Sequence, residues 1–119
     1  MRDHTKLHAF TLADELAVMV YQVTRSFPKE EIYGLIAQMR RAAISVASNI
    51  VEGCARTTEK EFLRFLDISF GSLRELHYQF SLSIRLGYLK KDEMINNMNK
   101  FEETEKVIGA LIRRLRRGN

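Results

Sequence analysis

At 119 residues, with 45% apolar and 29% charged side chains, the chain has the size and composition of one globular domain. One proline and six glycines are too few turn-formers for the many short strands of an all-β fold, and no apolar run reaches the roughly 18–20 residues that a membrane span needs. The net charge of +4 sits in the C-terminal tail: Arg113, Arg114, Arg116 and Arg117 are the excess of 19 lysines and arginines over 15 acidic residues.

The first element is a helix over about residues 10–26. Leu12, Leu16, Met19, Val20, Val23 and Phe27 recur at spacings of three and four and so share one face. Phe27-Pro28 ends it, because a residue before proline is driven out of the α region. A second helix is expected over about 30–52, with Glu30 and Glu31 suited to its positive end and Ile32, Leu35, Ile36, Met39, Ala43, Val46 and Ile50 on its apolar face. Between Ala42 and Ser48 the side chains are small, which lets another helix approach closely. Gly53 reads as the left-handed residue that closes this helix.

The third helix, about 59–87, opens with a capping box of Thr58 and Glu61. Phe62, Leu66, Ser69, Leu73, Leu76, Phe80, Ser83 and Gly87 then form a heptad seam. A second stripe of Leu63, Phe70, His77 and Ile84 lies on a different face, so this helix is either central in the bundle or also buried between copies of the chain. Gly87 closes it and Tyr88 to Lys91 make a short turn. The fourth helix, about 92–115, uses Met94, Met98, Phe101, Ile108, Leu111 and Leu115. Short connections favour an all-α, antiparallel up-down-up-down four-helix bundle filling residues 1–119 as a single domain.

Asp14 and Glu15 interrupt any apolar region that could follow the basic N-terminal residues, which argues against a cleaved signal peptide. A single cysteine, Cys54, makes no intramolecular disulfide and suits a cytoplasmic protein. Cys54 stands beside Arg56, which could activate a thiol, but no histidine lies nearby in sequence to serve as its base. His4 and His8 have a helical metal-ligand spacing without an acidic or cysteine partner, and His77 reads as a hydrogen-bonded packing residue. No phosphate loop, carboxylate pair, Ser-His-Asp arrangement or Glu-x-x-His di-iron motif occurs, so neither catalysis, nor a cofactor, nor a metal is expected. Folding the second and third helices into a hairpin places Arg40 or Arg41 level with Glu75. An ion pair there would fix helix register. The tail arginines have two readings: a patch for a polyanion, or cations offsetting the negative end of a helix dipole.

The run from Gln38 through Met39-Arg40-Arg41-Ala42-Ala43-Ile44-Ser45-Val46-Ala47-Ser48-Asn49-Ile50-Val51-Glu52 to Gly53 resembles the hallmark of a bacterial family of four-helix bundles encoded by intervening sequences of 23S rRNA genes. The resemblance continues in Phe27-Pro28-x-x-Glu31-x-Tyr33-Gly34-Leu35, Glu61-Phe62-x-x-Phe65-Leu66, Gly71-Ser72-Leu73-x-Glu75-Leu76 and Leu86-Gly87-Tyr88, covering about residues 8–90. It implies a ring-forming bundle, typically a homopentamer, and kinship with the nucleic-acid-binding accessory protein of diversity-generating retroelements, in a family for which no enzymatic activity is established. Val51 and His77 depart from the family pattern. The motif residues it carries over are Asn49, Glu52, Gly53, Arg56, Glu61, Gly71, Ser72 and Glu75, which read mainly as architecture: Gly53 a turn, Glu61 a cap, Gly71 and Ser72 room for a neighbour, Asn49 and Glu52 a bridge toward Arg56.

Two functions remain in view. One is an oligomer binding RNA or another nucleic acid through Arg113, Arg114, Arg116 and Arg117, with Arg40 and Arg41 if exposed. The alternative is a scaffold with a protein partner. Neither requires a membrane.

Overall fold

The computed structural model describes residues 1–118, and there the chain forms four α-helices: α1 (His8–Thr24), α2 (Leu35–Cys54), α3 (Glu59–Arg85) and α4 (Lys91–Gly118). Single 3₁₀ turns at His4–Lys6 and Lys29–Glu31 precede α1 and α2. No strand occurs among the described residues. The helices pack into a globule with extents of 45 × 25 × 20 Å. None of them is long and apolar enough to cross a membrane.

Local chemistry sets most boundaries. Thr58 is extended and its Oγ1 accepts the Glu61 N–H at 3.2 Å, which is half of the expected capping box; the Glu61 carboxylate accepts from the Thr58 hydroxyl at 3.4 Å and not from its backbone N–H. Gly87, at φ +79°, is the left-handed residue that ends α3. The start of α2 is later than the apolar spacing predicts. Pro28 leads into a 3₁₀ turn, and Glu31 Oε1 then accepts the Leu35 N–H at 3.0 Å, so a glutamate beyond the helix supplies the cap. Ile32 is therefore exposed in the turn instead of lining the core. Gly53 also departs from expectation. It lies inside the last turn of α2 at negative φ, and a Cβ there would come within 3.0 Å of Phe65 Cβ and 3.1 Å of Phe62 Cδ1. This glycine serves a close helix contact and not a turn.

The core joins all four helices. Leu16 and Val20 of α1, Met39, Val46 and Ile50 of α2, Phe62, Leu73 and Phe80 of α3, and Phe101 and Ile108 of α4 are each buried. Phe80 and Phe101 meet at 5.0 Å between ring centroids. The small residues of α2 do admit a close neighbour: Ser45 Oγ and Ser72 Oγ are 2.8 Å apart, and Ser69 Oγ donates to the Val46 carbonyl at 2.7 Å. The second stripe of α3 faces α4, with His77 stacked on Phe101 at 5.1 Å and Phe70 beside Gly109. Its apolar width is therefore used within the bundle. Helix α4 continues through the tail, so the four arginines are helical.

Candidate nucleic-acid interface

Contacts far apart in sequence gather cations at one end of the bundle. The Arg2 backbone N–H donates to the Cys54 carbonyl at 2.7 Å, its guanidinium reaches Glu59 at 3.4 Å, and it lies 4.2 Å over the Phe62 ring. Arg56 and Arg64 flank the Phe65 ring at 4.7 and 5.9 Å. Arg116 donates to Asp67 at 2.7 Å, while Arg114 lines a shallow cavity of about 240 Å³ with Leu7, His8 and Leu111. The chain start, the end of α2, the start of α3 and the end of α4 thus meet. Arg2, Lys6, Arg56, Lys60 and Arg64 join Arg113, Arg114, Arg116 and Arg117, all exposed, against Asp3, Glu52, Glu59, Glu61 and Asp67.

From the sequence, Arg2, Lys6, Lys60 and Arg64 are not evident, and Arg56 reads as a motif residue beside Cys54 and not as part of a patch. Each lies before or within about a turn or two of a helix end, and an alternating bundle would carry those ends together. Arg40 and Arg41 are not part of this end. Arg40 turns along the bundle: its Nε donates to Thr24 Oγ1 at 3.0 Å and its guanidinium lies 4.5 Å over the Tyr21 ring. Arg41 donates to Gln38 Oε1 at 3.3 Å, and Glu75 instead accepts from Gln79 Nε2 at 3.4 Å. The expected pairing of Glu75 with Arg40 or Arg41 is absent. The hairpin puts them at one level, but Glu75 and Arg41 are exposed on the outer faces of their helices.

The motif residues divide in the same way. Gly53 and Glu61 hold the α2–α3 corner, as described above. Asn49 Nδ2 bonds one turn back, to the Ser45 carbonyl at 2.9 Å and Ser45 Oγ at 3.0 Å, and so does not bridge toward Arg56. Glu52 has no ion pair among the described residues. Gly71 is exposed, and a Cβ there would meet nothing within 4 Å. It makes room for no helix of its own chain, yet a glycine inside a helix costs about 1 kcal/mol relative to alanine.

Elsewhere the chemistry is quiet. Cys54 is buried at 1% exposure, and that burial pushes its thiol pKa up, opposite to the activation its neighbour Arg56 suggested. His77 Nδ1 lies 2.8 Å from Glu105 Oε2, which also accepts from Arg74 at 3.2 Å. His77 is thus a packing residue. His4 sits edge-on to Phe10, and no group of three or more potential metal ligands occurs among the described residues. A groove of about 460 Å³ between α1 and α4 is lined by carboxylates, amides and Lys100, which pairs with Glu15 at 2.8 Å. At the opposite end of the bundle from the cations, the Tyr88 hydroxyl donates to Glu31 Oε2 at 2.8 Å. The Leu35 N–H and this phenol hold the Glu31 carboxyl below its usual range, and the same bond raises Tyr88.

The sequence profile of the 23S rRNA-intervening sequence protein family matches residues 5–110. The fold is similar to a crystal structure of a protein of unknown function from the S23 ribosomal protein family of Bacteroides thetaiotaomicron VPI-5482, with a TM-score of 0.78 and 22% identity over 88% of this chain and 95% of that one. No curated protein matches.

Proposed function

The chain belongs to the 23S rRNA-intervening sequence protein family, and on that footing we propose that it is a non-enzymatic, self-associating RNA-binding protein of the cytoplasm. The observation that carries this reading is the convergence of cations from the chain start and three helix ends onto one end of the bundle. The long-range contacts support a bundle whose consecutive helices alternate in direction, up-down-up-down. Thr24 near the end of α1 meets Arg40 near the start of α2, and Asp67 early in α3 meets Arg116 late in α4.

Such a surface recognises phosphates by charge, so binding is salt-dependent and weakly selective for sequence. One copy offers modest affinity. A ring, with a pentamer as the expected size, repeats the patch and multiplies it through avidity. The second reading, a scaffold for a different protein, draws on Ile44 and Ile68, exposed at 47% and 43% on the outer side of α2 and α3.

The test is fluorescence anisotropy of single-stranded RNA against salt. Three forms are compared: wild type, a variant with Arg113, Arg114, Arg116 and Arg117 changed to Gln, and one with Arg56 and Lys60 changed to Gln. Each lost phosphate contact should flatten the plot of log K against log salt by about 0.7. Absence of binding at low salt would remove the RNA reading and turn attention to the protein-partner one.

A further inference from the structure

The outer sides of α2 and α3 carry two stripes that no part of the chain covers. On α2 the stripe is Arg41, Ile44, Ser48 and Glu52; on α3 it is Arg64, Ile68, Gly71 and Glu75, all exposed. Both repeat at helical spacings of three and four, the pattern of a helix that packs along another helix. The contacts Ser45–Ser72, Ser69–Val46 and Gly53–Phe65 fix how the helices lie side by side. By that register Arg41 is level with Glu75, Ile44 with Gly71, Ser48 with Ile68, and Glu52 with Arg64. Each level matches a cation with a carboxylate or a large side chain with a small one.

Within the chain these matches are not used. Arg41 bonds Gln38, Glu75 bonds Gln79, and neither Glu52 nor Arg64 has an ion pair. Gly71 has open space where a Cβ would stand. Resting on the self-association proposed above, we infer that the α2 stripe of one copy packs, antiparallel and at the same level, on the α3 stripe of a second copy. Rotation about an axis parallel to the bundle keeps every residue at its level while carrying one stripe onto the other. Arg41 then meets Glu75 of the second copy, and Glu52 meets its Arg64. Ile44 enters the space over Gly71, and Ile68 fits against Ser48.

The occupant follows from the charge pattern. Two cations and two carboxylates alternate at the corners of the face, so a polyanion would be repelled at half of them. Neighbouring copies of the same pattern satisfy all four, one meeting Arg41 and Glu52 and another meeting Arg64 and Glu75. The seam is about 17 Å long from Arg41 to Glu52 at the α-helical rise. It joins two different stripes, so where repeated rotation about the axis completes a full turn, no edge is left free and a ring closes.

The experiment is native mass spectrometry and light scattering over a concentration series, with circular dichroism reporting that each variant folds. Wild type should be oligomeric at micromolar concentration. Arg41→Glu should raise the concentration for half-assembly at least tenfold, and adding Glu75→Arg should restore assembly. Gly71→Leu, whose Cβ has open space in its own chain, should keep full helicity and lose the oligomer. If wild type assembles and Arg41→Glu and Gly71→Leu assemble equally well, the seam is wrong while self-association stands. Failure of Glu75→Arg to rescue Arg41→Glu overturns the register. A monomeric wild type overturns both the seam and the oligomeric reading, and anisotropy on the same samples reports RNA binding separately.

Discussion

Replacing Gly53 with alanine tests whether this glycine serves packing or backbone conformation. In an open helix the change would stabilise by about 1 kcal/mol. Here the new methyl would stand 3.0 Å from Phe65 Cβ and 3.1 Å from Phe62 Cδ1. A Cβ cannot rotate aside, so α2 and α3 must separate locally, and overpacking that no rotation relieves falls in the upper part of the usual range, about 2–3 kcal/mol. The collision wins, leaving Gly53→Ala about 1–2 kcal/mol less stable, a fall in Tm of roughly 4–8 °C for a domain of this size. Gly109 is the internal control. A Cβ there meets the Arg113 guanidinium at 3.3 Å and Phe70 Cε1 at 3.7 Å, and the guanidinium can swing away. Gly109→Ala should therefore gain about 0.5–1 kcal/mol from helix propensity. Urea and thermal denaturation followed by circular dichroism read both. Gly53→Asn separates the two explanations further, because a left-handed cap tolerates asparagine better than alanine, whereas crowding makes asparagine the worse of the pair. A Gly53→Ala protein as stable as wild type would refute the steric account, and Gly53→Asn above Gly53→Ala would return Gly53 to the role of a turn.

Asp67→Asn releases Arg116 from a pair exposed on both sides, so stability should change by less than about 1 kcal/mol while RNA affinity rises and its salt dependence steepens; unchanged binding would count against the basic end. Glu105→Ala strips His77 and Arg74 of their shared acceptor and should cost about 1–3 kcal/mol in urea denaturation. Arg74→Ala, with its side chain 63% exposed, should cost under about 1 kcal/mol, and equal losses would contradict this division. The Glu31–Tyr88 bond predicts a two-sided pH dependence. Glu31, with its pKa lowered, contributes stability above the ordinary carboxylate range that is lost as pH falls below about 4. Tyr88, with its pKa raised, contributes stability below about pH 10 that is lost as pH rises beyond it. Tyr88→Phe should remove the alkaline loss and weaken the acid one, read from urea midpoints across pH.

Features decided within a few residues were legible in the sequence. The Thr58 cap, the Gly87 terminus and the heptad seam of α3 follow from neighbours one or two turns away. Features decided at long range were not. The late start of α2 rests on Glu31, which is held by Tyr88 from 57 residues further along the chain. Gly53 and Gly87 are the same residue type near a helix end, and only the presence of Phe62 and Phe65 beside one of them separates crowding from a left-handed turn. Arg41 and Glu75 were placed at the correct level, because antiparallel register is simple arithmetic on the chain. The direction in which they leave their helices was not resolved by that arithmetic. The basic tail was visible as a run, but the cations that join it come from three other stretches: the chain start, the end of α2 and the start of α3.

The placement of charge also ties the two proposed surfaces together. The basic end holds the excess of cations, while the α2–α3 seam is balanced and lies along the side of the bundle. An axis parallel to the bundle carries every basic end to the same face of the assembly, so a single RNA strand can touch several copies. Linked sites of this kind raise overall affinity by about 10²–10⁴ without any new contact. Gly71→Leu changes no charge and lies away from the basic end, yet it should weaken RNA binding by a factor in that range and flatten its salt dependence, because fewer phosphates are engaged at once. The same variant should bind a very short oligonucleotide, able to reach only one copy, as wild type does. Equal loss for short and long RNA would mean that Gly71 acts locally and that the two surfaces are independent.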